Sequence, residues 1–212
     1  MDINKPTMNI NKMTIDVNKI TLKRINGDYK LFEKTNPQFF DVLANPENIL
    51  EIYFLMYGRP GTPYEQGQYI GKIVHNPEYP RKAPDYYMLT PNGRFETNKK
   101  ICLTNSSYHQ ADWAPAAWNL VSILEGFSSV WHSDIKEDKH GISHIGNTSD
   151  EQIKKCAHQS VDYNVSTIKS IYSKFSKVIL NHNPYLNNQA TLNNQDTLNN
   201  QQSLNNQQSL NV

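Results

Sequence analysis

Between residues 39 and 89 the chain runs in short apolar stretches broken by proline and glycine, and this punctuation limits the fold more than any other feature. Phe39 to Ala44 is followed by the turn-forming Asn45-Pro46-Glu47-Asn48. Leu50, Ile52, Phe54 and Met56 then alternate with Glu51, Tyr53 and Leu55, the period of two expected of a half-buried strand. A loop from Gly58 to Gly67 leads to a run over 68–74, and the proline-rich 76–84 leads to another over 85–89. Consecutive strands with short connections predict a four-stranded antiparallel meander.

Helical spacing flanks the meander on both sides. Leu22, Ile25, Tyr29 and Phe32 predict an amphipathic helix over 17–34, closed by Asn36-Pro37. Gly27 within it costs about 1 kcal/mol against alanine. Trp118, Val121, Ile123, Leu124, Phe127 and Trp131 predict a strongly apolar helix at the centre of the core. Residues 149–180 carry Ile153, Ala157, Val161, Ile168, Ile171, Phe175 and Val178, which predict one or two C-terminal helices. From Leu186 the hexapeptide Leu-Asn-Asn-Gln-x-x repeats, with one leucine per repeat, too little apolar surface for a stacked solenoid. The expected organisation is therefore a polar extension over 1–16, one α+β domain over 17–180 and a disordered low-complexity tail over 181–212.

Composition narrows the partners. Twenty-one basic and 20 acidic residues leave a net charge of +1, which argues against nucleic acid or an anionic membrane as the partner. The polar N-terminus lacks the apolar core of a signal peptide, and the stretch 118–131 is too short to span a bilayer. Two cysteines, Cys102 and Cys156, do not make a disulfide framework and point to a reducing compartment. The expected location is cytoplasmic. The Asn-, Lys- and Ile-rich usage fits an AT-rich genome such as that of a protist or large virus, and for a virus the location would be the host cytoplasm.

The segment from Thr90 to Pro115 has no periodicity, and long irregular loops inside compact domains are commonly functional. It holds Cys102, between a strand and a helix, a candidate nucleophile. The nearest donor upstream for an oxyanion is Asn92, in Thr90-Pro91-Asn92-Gly93. Asn92 has an equally available role in holding that turn through its own hydrogen bonds. Cys156 sits among Lys154, Lys155 and His158 on a helix and reads as structural or incidental.

Taken together, the order of helix, meander, cysteine loop and apolar helix resembles the ubiquitin-conjugating enzymes. The resemblance is carried by Leu22-Lys23-Arg24-Ile25, by Gly61-Thr62-Pro63-Tyr64-Glu65-Gln66-Gly67, by Tyr79-Pro80-Arg81-Lys82-Ala83-Pro84, and by Ile101-Cys102-Leu103 with Trp113-Ala114-Pro115-Ala116. Thr90-Pro91-Asn92 stands where most members have His-Pro-Asn. That substitution, with His109 and Trp113 seven and eleven residues past Cys102, is similar to the tail-anchored, endoplasmic-reticulum-associated subgroup. The Leu-Asn-Asn-Gln tail stands where that subgroup has its anchor, so no membrane anchor is expected.

The resemblance implies an α+β ubiquitin-conjugating fold, and with it a transferase. Cys102 would accept ubiquitin from the activating enzyme as a glycyl thioester and pass it to a substrate lysine, or to serine or threonine, commonly with a ligase. No cofactor and no metal are implied. His109 would be a base toward a hydroxyl acceptor, or else a surface histidine of a polar loop. Asp134 would orient an incoming lysine, or belong to a solvated cluster with Glu137 and Asp138. Lys23 and Arg24 match the activating-enzyme contact, and Pro80, Arg81, Pro115 and Ala116 the ligase-binding edge. Arg81 replaces the phenylalanine that many members place there, implying a different or weaker ligase. Two other classes are open to such a chain: an inactive module that binds ubiquitin or a ligase, and a cysteine protease, whose usual flanking strings are absent.

Overall fold

The computed structural model describes residues 17–132 and 141–175. The expected N-terminal extension, Asp134, Val178 and the repeat tail all lie outside the described residues.

A helix opens the domain, α1 (Lys19–Thr35). Asn18 starts it by accepting from the Thr21 N–H at 2.9 Å, and Asn36 ends it in the left-handed conformation (φ 45°), its N–H bonded to the Phe32 carbonyl. Ile25 and Phe32 are buried on its inner face. Two buried polar groups fasten it to the proline-rich loop: Thr21 Oγ1 donates to the Tyr79 carbonyl (2.6 Å), and the Tyr79 hydroxyl donates to Asp28 Oδ2 (2.6 Å). Burial pushes the Asp28 carboxyl up from its ordinary range, against the pull of Tyr79 and Arg24.

Four strands follow: β1 (Phe40–Ala44), β2 (Glu51–Tyr57), β3 (Gln68–Val74) and β4 (Asp85–Met88). They pair in sequence order and antiparallel throughout, as the short connections require. The register aligns Ile52 with Ile73 and Ile73 with Tyr86, so one face of the sheet is apolar across three strands. Onto this face packs α2 (Leu120–His132), whose Leu120, Ile123, Leu124, Phe127 and Trp131 recur at helical spacing and are buried. Phe127 is the hub: its ring meets those of Phe54 (5.6 Å), Tyr86 (6.2 Å), Phe95 (5.6 Å) and Trp131 (5.8 Å).

The half-buried reading of β2 holds only for its first residues. From Phe54 to Tyr57 every position is buried, including Leu55 and Tyr57 on the second face. Gln68 pairs with Tyr57 and shares that face, and there it receives the C-terminal helices α3 (Asp150–Thr167) and α4 (Lys169–Tyr172). β4 leaves the sheet after Met88, so the backbone of Gln68 would lack ladder partners on that side. Ser160 Oγ accepts its N–H (2.9 Å), Asn164 Nδ2 donates to its carbonyl (2.8 Å), and Tyr172 donates to its side chain (2.6 Å).

One buried histidine makes stability pH-dependent. His75 contacts the Leu50 carbonyl through Nδ1 (3.1 Å) and packs against Tyr79, and burial pushes its pKa down to about 4. The unfolded value is near 6.5, so the contribution is complete above about 6.5 and is lost as pH falls toward about 4. At about 1.4 kcal/mol per pH unit, the fall from pH 7 to pH 5 removes about 2 kcal/mol through this residue. Urea unfolding at the two pH values should show that loss, and His75→Gln should flatten it. An equally steep variant would assign the acid sensitivity elsewhere.

Candidate active site

The loop between β4 and α2 is ordered from both ends. At its start the Asn92 side chain closes a turn: Oδ1 accepts from the Arg94 and Phe95 N–H groups (both 2.8 Å), and Nδ2 donates to the Thr90 and Phe95 carbonyls (2.9 and 3.2 Å). Gly93 takes the positive φ (79°) that this turn needs. Asn92 is 1% exposed, and its two amide hydrogens are both committed within the turn. Phe95, at the end of the turn, drives its ring into the aromatic cluster around Phe127 and Trp131.

Further along, the backbone runs beside β4 again, with the Ile101 N–H bonded to the Tyr86 carbonyl (2.9 Å). Ile101 and Leu103 point into the core and are buried, so alternation turns Cys102 between them outward, half-exposed. Its backbone is held by the segment that follows α2. The Cys102 N–H donates to the Ile142 carbonyl (3.1 Å), and His144 Nε2 contacts the Cys102 carbonyl (3.2 Å). Ser143 Oγ donates to the Lys100 carbonyl (2.8 Å), while the Glu96 and Ile145 N–H groups donate to Ser143 and Arg94. The His144 ring also stands edge-on to Phe95 (4.8 Å). A Cβ at Gly141 would meet the His144 ring at 2.5 Å, so a larger residue there would displace that ring. This strap and His144 were not foreseen from the sequence; 141–149 has no periodicity, and only its place in space marks it.

The other side of Cys102 is set by a short 3₁₀ turn, Ser107–His109. Ser106 braces it by accepting from the Leu103 N–H (3.1 Å) and donating to the Leu103 carbonyl (2.7 Å). His109 Nε2 then lies 3.3 Å from Cys102 Sγ. On the far side of the same ring, Nδ1 is 3.8 Å from Asp112 Oδ2, a residue that sequence reasoning passed over. The arrangement can do one kind of chemistry readily: a half-exposed sulfur with an imidazole nitrogen alongside it suits nucleophilic attack.

The remaining candidates divide. Trp113 donates through Nε1 to the Pro80 carbonyl (2.7 Å) and stacks on Trp118 (6.3 Å), so the Pro80 loop and the Pro115–Ala116 turn lie together. The Tyr79–Pro80 bond is cis. Arg81 is exposed and paired with Glu78 on the same loop. Lys23 is exposed on α1, whereas Arg24 is spent internally: it pairs with Asp28 (2.9 Å) and donates to the carbonyls of Pro115 (3.2 Å) and Trp118. Cys156 is half-buried on α3, and burial pushes its thiol up. Among the described residues, no three or more His, Cys, Asp and Glu side chains gather where they could hold a metal ion. Among the same residues no helix is long and apolar enough to cross a membrane.

Comparison with known proteins gives a family and several relatives. The family model described as ubiquitin-conjugating enzyme matches residues 24–161, from α1 into α3. The chain is similar to "Ubiquitin-conjugating enzyme E2 6" of Debaryomyces hansenii, 36% identical over 157 residues, covering 74% of this chain and 62% of that protein. It is 41% identical over 112 residues to the protein of the same name from Schizosaccharomyces pombe, covering 53% and 49%. It is 36% identical over 147 residues to "Probable ubiquitin-conjugating enzyme E2 33" of Arabidopsis thaliana, covering 69% and 58%. The match thus spans about half to three-fifths of these relatives. A solved ubiquitin-conjugating enzyme E2 from Plasmodium falciparum aligns with a TM-score of 0.47 at 24% identity, covering 53% of this chain and 98% of that one.

Proposed function

The chain belongs to the ubiquitin-conjugating enzyme family, and from that premise we propose that Cys102 carries ubiquitin as a glycyl thioester. The Cys102 thiolate attacks the thioester carbonyl presented by the activating enzyme; a new C–S bond forms and the activating enzyme's thiol leaves. An acceptor lysine, serine or threonine of a substrate then attacks the same carbonyl and releases Cys102. The observation that carries this reading is the half-exposed Cys102, turned outward between buried Ile101 and Leu103 within the matched family domain. Exposed Lys23 is offered to the activating enzyme. The joined Pro80–Arg81 and Pro115–Ala116 edge is offered to a ligase, and Asp134 to an incoming lysine. We place this activity in the cytoplasm.

Asn92 we assign to the turn rather than to the oxyanion, because all four of its hydrogen bonds are made within Thr90–Phe95. Asn92→Ala should cost about 2–4 kcal/mol in urea unfolding, at about 1 kcal/mol per bond lost. A variant of unchanged stability whose discharge falls about 100-fold would restore the oxyanion role.

The function itself is tested by incubating the full chain with activating enzyme, ATP and ubiquitin and running the product on a non-reducing gel. A ubiquitin adduct that disappears with thiol is expected. A folded chain that takes up none defeats the proposal.

A further inference from the structure

We propose that Asp112 is a positioning residue: it holds His109 in the tautomer that leaves Nε2 free to take the proton of a hydroxyl acceptor at Cys102. The inference rests on the thioester function proposed above and extends it toward acceptor choice.

Three features of the loop carry it. First, the two ring nitrogens of His109 face different neighbours, Sγ of Cys102 at 3.3 Å and Oδ2 of Asp112 at 3.8 Å. A carboxylate opposite Nδ1 favours the hydrogen there and leaves the lone pair on Nε2, aimed at the sulfur. The Cys102 sulfur then faces the lone pair of Nε2.

Second, the spacing is fixed by backbone. The Asp112 N–H donates to the His109 carbonyl (3.0 Å) and the His109 N–H to the Ser106 carbonyl (2.9 Å). Trp113, immediately after, is pinned to Pro80. Third, His144, the other imidazole at the cysteine, is engaged with the Cys102 carbonyl. His109 is thus the ring at the sulfur. The 3.8 Å separation exceeds a hydrogen bond, and Asp112 is 73% exposed. Such contacts are commonly long before an acceptor arrives and shorten when it excludes water.

The chemistry distinguishes acceptors. An amine attacks a thioester through its own lone pair, whereas a hydroxyl gains nucleophilicity as its proton leaves. In the proposed step the hydroxyl oxygen forms a C–O bond to the glycyl carbonyl carbon and its proton moves to His109 Nε2. The tetrahedral intermediate then breaks its C–S bond, and the same proton passes to the departing Cys102 sulfur. The products are an ester and the free thiol, with no other reactant.

Two measurements on the full chain test it. The first is the ¹⁵N spectrum of labelled histidine at mildly alkaline pH, with the His109 signals assigned through His109→Gln. The Nδ1–H tautomer is expected in the wild type and its loss in Asp112→Ala; a tautomer unchanged by Asp112→Ala overturns the proposal. The second is discharge of the preformed thioester to free serine and to free lysine. Asp112→Ala should lower the serine-to-lysine ratio about tenfold, the low end for loss of an orienting partner. The same substitution made on top of His109→Ala should lower it no further. Equal slowing toward both acceptors, or a further fall without His109, overturns the proposal. Failure to form any thioester defeats the function proposed above, while the tautomer measurement still decides the Asp112–His109 contact.

Discussion

Cys102→Ala is expected to form no thiol-sensitive ubiquitin adduct under conditions that charge the wild type fully. The loss is complete because the substitution deletes the attacking atom, whereas removal of a transition-state donor leaves residual rate. The fold should survive it. The structural bonds of Cys102 run through its backbone, to Ile142 and His144, and alanine keeps both. With the side chain half-exposed, the stability change should stay within about 0.5 kcal/mol. Cys102→Ser retains a nucleophile in the same place but makes an oxygen ester, so its adduct should form more slowly and resist thiol. A thiol-sensitive adduct on the alanine variant would move the nucleophile elsewhere, and Cys156 is the remaining thiol of the chain.

Phe127→Ala should have the largest effect on stability. The ring is 1% exposed and touches four other aromatic rings from β2, β4, the cysteine loop and its own helix. No single neighbour can move into the space without leaving the others, so collapse of the cavity is restricted. Truncations of buried phenylalanine cost about 3–5 kcal/mol, against about 5–15 kcal/mol for a whole domain. The urea midpoint should fall accordingly with an unchanged slope, while Leu31→Ala, on the exposed side of α1, should shift it little. A loss below about 1 kcal/mol would show that this cluster repacks freely. The cysteine loop should loosen with the core, since Phe95 anchors that loop against the same ring.

The frame of the fold was legible because its signals are local. Leu22, Ile25, Tyr29 and Phe32 mark α1 by spacing alone, and the apolar run of α2 has no other reasonable reading. Gly27 was affordable because it lies on the exposed side, with open space around it. The burial of Leu55 and Tyr57 was not legible, since their face is met by helices about a hundred residues later in the chain. Nor could periodicity announce Ser160 and Asn164, polar residues inside a helix that stand in for a missing strand.

The site was read in the same partial way. Cys102 stood out through the strings around it. Asn92 offered two roles, and its saturated hydrogen bonds favour one. His109 was noticed for its spacing, but its distance to sulfur depends on the 3₁₀ turn. Asp112 had no signal beyond lying three residues after a histidine in a loop, and Arg24 gave no hint that its guanidinium is taken up by the Pro115–Trp118 turn.

The strap behind Cys102 also has a bearing on the order of events as the chain is made. Cys102 and His144 are 42 positions apart, so at about 5–20 residues per second the cysteine precedes its clamp by about 2–8 s during synthesis. In that interval the Cys102 N–H and carbonyl have neither Ile142 nor His144 to meet. A nascent chain that already contains Cys102 thus lacks the contacts that hold its backbone in place until residues 142–145 have cleared the ribosome.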